Sequence, residues 1–192
     1  MKKYEYGRIE NLEKQLQAAE IDPNTVAQIM QDAGAIHSST SPEKKADWMR
    51  DAMLRMDYLL EPGTRQAVRE ACACCLGGKR LEISKGIAKN HATLEERIEA
   101  ANRARFVFGH SVHQEEDGRI VVNFFPEDQT TFRCVCMPKA KEPISITYCY
   151  CCGGHVKHHL QTALGEQLKL EVRSSALSSG GTQGCSFIFD MV

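Results

Sequence analysis

The sequence predicts an α+β protein, with N-terminal helices followed by a mainly antiparallel sheet carrying one inserted helix. Three observations predict it. Apolar residues recur every three to four positions through the first third of the chain. From residue 106 onward, β-branched and aromatic runs bounded by turn residues take over. A single stretch of helical periodicity, at 153–164, interrupts those runs.

In the first third, Ile9, Leu12, Leu16 and Ala19 share one helical face, and Val26, Ile29, Met30 and Ala33 share another. Asp22 and Pro23 separate them, an N-cap with proline at the first helical position. Residues 36–42 read as a linker ending in a new helix start. Met49, Met53, Met56 and Leu60 then form an apolar stripe with Trp48 beside it. Methionine fills irregular gaps, so the stripe reads as core. Pro62-Gly63 breaks that helix and divides the chain into a helical extension, 1–63, and an α+β domain, 64–192. Residues 64–75 read as helical, with Gly77-Gly78 as a C-cap before the solvated charge of Lys79-Arg80. The spacing of a phosphate loop is missing there. Thr93-Leu94-Glu95-Glu96 is a capping box opening a helix to about Arg105.

Strands are expected at 106–108, 120–125, 131–136 and 144–148, with Asp117-Gly118 as a hairpin turn. Within 153–164, Val156, Leu160, Ala163 and Leu164 share a helical face. Leu168, Leu170 and Val172 alternate with Lys169, Glu171 and Arg173 as in a half-buried strand. After the turn Ser178-Ser179-Gly180-Gly181, a last strand places Cys185, Phe187 and Phe189 on one face.

The 192 residues carry 24 basic and 25 acidic side chains, a net charge of −1, with 42% hydrophobic residues. These are ordinary globular values, and they argue against a generic binder of nucleic acid or of acidic membranes. No apolar run is long enough to span a bilayer, and the start Met1-Lys2-Lys3-Tyr4-Glu5-Tyr6 has no apolar stretch behind its lysines. A cytoplasmic protein without a secretory leader is expected.

Cysteine usage is the anomaly. The first 71 residues contain none, and then nine arrive in four places: Cys72-Ala73-Cys74-Cys75, Cys134-Val135-Cys136, Cys149-Tyr150-Cys151-Cys152, and Cys185. An odd count in a reducing compartment does not read as a disulfide framework. Buried packing, a thiolate metal site and a nucleophilic or redox centre remain. Packing alone has no reason to repeat Cys-x-Cys-Cys. Each copy contains a Cys-x2-Cys, Cys72 with Cys75 and Cys149 with Cys152, a spacing that lets two thiolates converge on one tetrahedral zinc. A thioredoxin-like dithiol ranks lower, because neither copy sits in a βαβ pattern.

The C-terminal part resembles the 4-vinyl reductase domain, whose fold is related to small subunits of the TRAPP vesicle-tethering complexes. The residues that carry the resemblance are Cys149-Tyr150-Cys151-Cys152-Gly153-Gly154-His155, Leu164-Gly165-Glu166 and Gly181-Thr182-Gln183-Gly184-Cys185-Ser186-Phe187. It implies a small-molecule-binding or regulatory module, several members of which hold zinc with three cysteines and a glutamate. Carried onto this chain, the outer ligands fall on Cys149 and Cys185. The middle two fall near Ser174 and Leu177, which are not ligand types; Cys151, Cys152, Cys72, Cys75, Cys134 and Cys136 have no counterpart in that pattern and can rebuild the site, with Cys72, Cys75 and Cys152 expected in the metal set. The doubled clusters are also similar to those of a cysteine-rich bacterial family. The Gly-x3-Cys-x-Phe ending is similar to that of hydrolases acting on aminothiazoline carboxylates.

His155 and His159 lie about 40° apart on the helix after Cys152. Such a pair can chelate a metal or supply a base; the plainer reading is a solvated helix edge, with Lys157 and His158 pointing outward. His110 and His113 read as surface. Two functions are therefore expected. In the first, a zinc-binding, small-molecule-binding or regulatory module uses Cys72, Cys75, Cys149, Cys152 and Cys185. In the second, a cysteine-dependent hydrolase uses a Cys149 or Cys152 thiolate activated by a helix N-terminus at Gly153, with His155 or His159 as base. A homodimer through the methionine-rich helix is a further expectation.

Overall fold

Local capping signals start the N-terminal helices where the sequence places them. The Thr25 N–H donates to Asp22 Oδ2 at 2.9 Å, opening α2 (Pro23–Ile29) after α1 (Gly7–Ala18). Ser41 likewise accepts the Lys44 N–H at 3.3 Å and opens α3 (Pro42–Leu59). The structure, a computed structural model, describes residues 4–192; Met1, Lys2 and Lys3, read above for a leader, lie outside them. Ile9, Leu12 and Leu16 of α1, Ile29 of α2 and Met49, Met53 and Met56 of α3 are fully buried in one cluster. The methionine stripe is thus consumed by the chain's own core. The large apolar side chains that α3 leaves to solvent are Leu54 and Tyr58.

The next helices are α4 (Pro62–Ala71), α5 (Gly78–Asn90), α6 (Leu94–Arg103) and the single turn α7 (Arg105–Phe108). Position 63 falls in the first turn of α4, and one continuous apolar cluster runs from Leu12 and Met49 to Phe187. Gly77-Gly78 does not close a helix as expected. α4 has already ended at Ala71, and Gly77 is the N-cap of α5. The Thr93/Glu96 capping box forms as read. Arg97 then donates to the Ala88, His91 and Leu164 carbonyls, satisfying chain-end acceptors around α5 and at the end of the inserted helix.

The sheet has the order β1-β2-β4-β3 and is antiparallel throughout, with β1 (Ser111–Gln114), β2 (Ile120–Asn123), β3 (Leu168–Ser174) and β4 (Ser186–Met191). Val122 faces Phe187 and Leu170 faces Phe189 across neighbouring strands. The β3 alternation is as expected: Leu168, Leu170 and Val172 are buried, and Lys169, Glu171 and Arg173 are exposed. Three expected strands are absent. Residues 106–108 belong to α7, which Gly109 ends at φ +104. Residues 131–136 form a loop tied to the fold by a Phe132 N–H bond to the Gly181 carbonyl. Residues 144–148 run into a 3₁₀ turn, Ile146–Cys149, because the Ser145 hydroxyl accepts the Thr147 N–H and Tyr148 buries its ring. Here side-chain capping and burial override the β propensity of isoleucine and threonine.

That turn continues directly into the inserted helix, α8 (Tyr150–Leu164), which begins three residues earlier than the sequence reading. α8 packs against α4, α5, α6 and α7 on one side and β3 on the other. Two glycines permit this. A Cβ at Gly154 would lie 2.5 Å from the Glu70 carbonyl oxygen of α4, and one at Gly153 would lie 2.5 Å from the Leu170 side chain of β3. Among the described residues, no helix is long and apolar enough to cross a membrane.

Gly154→Ala should destabilise the fold by about 1–3 kcal/mol in urea or thermal denaturation, because rigid backbone must move. Gly86→Ala in α5, where a Cβ meets open space, should instead stabilise by up to about 1 kcal/mol through the helical preference of alanine.

Candidate functional site

The cysteines separate into two groups according to which side of the start of α8 they occupy. Cys149, the N-cap residue, is buried with Cys134 and Cys185 around Ser175. The Ser175 hydroxyl accepts the Leu177 and Ser178 N–H groups and lies 2.8 Å from Cys149 Sγ. With both lone pairs occupied, its proton goes to the sulfur. Cys185 Sγ accepts the Ala176 N–H, and Cys134 Sγ accepts the Met137 N–H. Burial pushes all three thiols up, Cys134 to about 11. At the position implied by the 4-vinyl reductase resemblance, Cys149, Cys134 and Cys185 therefore stand around a serine hydroxyl.

The second group forms at the floor of a cleft of about 470 Å³, where Cys74, Cys75, Cys136, Cys151 and Cys152 come together from three segments. Cys151 and Cys152 occupy the first turn of α8. Cys136 Sγ lies 3.3 Å from Cys152 Sγ. Cys72, the C-cap of α4, lies just behind them along a second cleft shared with Cys74, Cys136 and Cys151. Of the five expected metal ligands, then, Cys75 and Cys152 belong to this floor, Cys72 lies behind it, and Cys149 and Cys185 belong to the serine group. Among the described residues, no group of three or more His, Cys, Asp or Glu side chains is placed so as to hold a metal ion.

Two arginines set the electrostatics. Arg69 is buried, with its guanidinium stacked 4.7 Å from the Tyr148 ring centre and donating to the Tyr148 carbonyl. Its Nε has no partner, and among the described residues it faces no carboxylate. Arg8 reaches over from α1 to donate to the Cys136 carbonyl at 2.6 Å and the Tyr148 hydroxyl at 3.2 Å. The hydrogen bond from Cys152, with Arg69 and Arg8, outweighs burial and holds the Cys151 thiol down at about 6. The same donor lowers Cys136, whereas burial raises Cys74 to about 11. A thiolate in this floor neutralises a guanidinium that nothing else neutralises.

The histidines are neither solvated nor aimed at a thiol. His155 Nδ1–H donates to the Cys74 carbonyl, His159 Nε2–H to the Cys75 carbonyl and His158 Nε2–H to the Leu76 carbonyl. Three successive carbonyls of the irregular 72–77 loop are thus capped by one face of α8, and Cys75 is held at φ +61. His159 also meets the Ser84 hydroxyl at 3.1 Å. Lys157, expected in solvent, pairs with Glu70 at 2.6 Å. Among the described residues, neither His155 nor His159 hydrogen-bonds a cysteine sulfur, though His155 lines the cleft with Cys151 and Cys152. The expected metal set left out Cys74, Cys136 and Cys151, and the sequence reading did not single out Arg8, Arg69 or Ser175. The Cys-x-Cys at 134–136 was the visible signal for one of them; the arginines carried none.

Comparison of the chain with protein-family models, with curated proteins and with solved structures returns no match.

Two outcomes follow from this geometry. Iodoacetamide at pH 7 should alkylate Cys151 first in metal-free protein, while Cys149 and Cys134 react only on unfolding; peptide mapping by mass spectrometry reads the order. Burial lowers the His155 and His159 pKa values. The unfolded chain therefore takes up more protons as pH falls below about 6.5. Stability should be complete above that pH and decline below it, and His155→Gln/His159→Gln should flatten the decline in denaturation between pH 6.5 and 5.

Proposed function

We propose that the protein is a thiolate metal-binding module, with zinc the ion its donors suit, coupled to a small-molecule cleft. The observation that carries the reading is the convergence of five cysteines from three segments on one floor backed by Arg8 and Arg69. Four thiolates around Zn²⁺ leave a net charge of −2, which two guanidiniums offset in a poorly solvated site. Cys136, Cys151 and Cys152, with Cys74 or Cys75, are the donors. With zinc–sulfur bonds of about 2.3 Å, sulfurs in a tetrahedral shell stand about 3.8 Å apart. The Cys136–Cys152 separation of 3.3 Å differs from this by a small side-chain adjustment. The regulatory or ligand-binding role implied by the 4-vinyl reductase resemblance is kept; the metal moves from Cys149 and Cys185 to the other face of the α8 start. Nine cysteines, all free, suit a reducing cytoplasm.

Metal analysis of the protein purified from zinc-supplemented, reducing medium tests the reading. About one zinc per chain is expected, retained in Cys149→Ser and Cys185→Ser and reduced at least tenfold in Cys136→Ser/Cys152→Ser. Removing the ion with a chelator should lower the unfolding temperature, since zinc–thiolate ligation contributes on the order of 10 kcal/mol to folding in small zinc domains. A folded, metal-free protein with one fast-reacting thiol at Cys151 would overturn it in favour of cysteine-dependent covalent chemistry.

A further inference from the structure

The walls of the cleft differ from its floor. Phe106, Phe124 and Phe125 line it, and Phe106 keeps 56% of its surface exposed at the mouth. Arg8, Arg80 and Arg105 line it too, and among the described residues no carboxylate does. Arg8 is occupied by the Cys136 carbonyl and the Tyr148 hydroxyl. Arg80 lies flat on the Phe106 ring, 4.1 Å from its centre. Neither its guanidinium nor that of Arg105 has a hydrogen-bond or ion-pair partner among the described residues. Arg50, Arg65, Arg103, Arg119 and Arg173 all face carboxylates.

In a chain of net charge −1, two unpaired arginines beside exposed aromatic surface make a local positive potential over an apolar hollow. Such a potential concentrates anions, and the hollow rewards a ligand that brings apolar area. Arg80 is also anchored to the thiol floor. Its carbonyl accepts the Ser84 hydroxyl, Ser84 meets His159, and His159 holds the Cys75 carbonyl.

We propose that this cleft binds a small organic anion with a flat apolar body, its carboxylate or phosphate held by Arg80 and Arg105 and its body against Phe106, Phe124 and Phe125. A guanidinium stacked on a ring keeps its N–H edge pointing outward, and that planar edge matches a carboxylate or phosphate in paired hydrogen bonds. The aromatic walls accept a ring in offset or edge contact. The inference goes beyond the zinc reading and does not depend on it, because the arginines and rings are in place whatever the thiols hold.

Fluorescence titration of the full chain with 1-anilinonaphthalene-8-sulfonate, followed by competition, tests it. One saturable probe per chain is expected, displaced by 2-naphthoate and 2-naphthyl phosphate at concentrations at least tenfold below those needed for neutral 2-naphthamide. The better of the two acids identifies the anionic group. Arg80→Gln/Arg105→Gln should weaken both acids at least tenfold while leaving the amide and the unfolding temperature unchanged. The preference for acids should survive in Cys136→Ser/Cys152→Ser, which separates this site from the metal. Absence of saturable binding, equal competition by the amide, or full acid affinity in the arginine variant would overturn the proposal. So would an acid preference lost with the cysteines and kept without the arginines, since the anion would then sit on the metal.

Discussion

The start of α8 can lie directly on the backbone of α4 because Gly154 offers no Cβ to the Glu70 carbonyl, and Gly153 offers none to Leu170 on the opposite side. Everything at the site follows from that approach. It sets the first turn of α8, with Cys151 and Cys152, against the loop that leaves α4 through Cys72, Cys74 and Cys75. It also brings one face of α8 within reach of that loop's carbonyls, which His155, His158 and His159 then satisfy. A loop with no regular hydrogen bonding and a left-handed cysteine is tenable there because its acceptors are met by side chains rather than left orphaned.

Charge is the second constraint. Arg69 is buried without a carboxylate, a costly arrangement unless negative charge stands nearby. The thiols supply it, and Tyr148 forms the plate between them: Arg69 stacks on its ring and Arg8 donates to its hydroxyl. Arg8 belongs to α1, so a helix that reads as part of an extension contributes directly to the cysteine floor. The two cysteine groups differ for the same reason: around Ser175 burial raises the thiols, whereas beside Arg69 and Arg8 the Cys151 thiol is lowered.

Much of the secondary structure was legible locally. The Asp22, Ser41 and Thr93 caps act within three residues of themselves, and the β3 alternation reports a strand with one buried face. The readings at 106–108, 131–136 and 144–148 failed where β-forming residues are spent on something non-local. Tyr148 is buried between two arginines from distant helices, and the 131–136 loop is fastened to Gly181. The methionine stripe was correctly read as core.

By itself, the sequence determined an α+β chain with capped N-terminal helices and a repeated cysteine pattern that packing alone does not require. Only the tertiary structure decided which cysteines meet. Spacing pairs Cys149 with Cys152, yet Cys149, the N-cap residue, lies in the buried serine group, and Cys152, inside the first turn of α8, faces the cleft. It likewise decided that the α8 histidines hold a loop and that Arg8, Arg69, Arg80 and Arg105 surround the thiols. Convergence from α1, α4, α5 and α7 is a property of packing, and no local pattern in the chain encodes it.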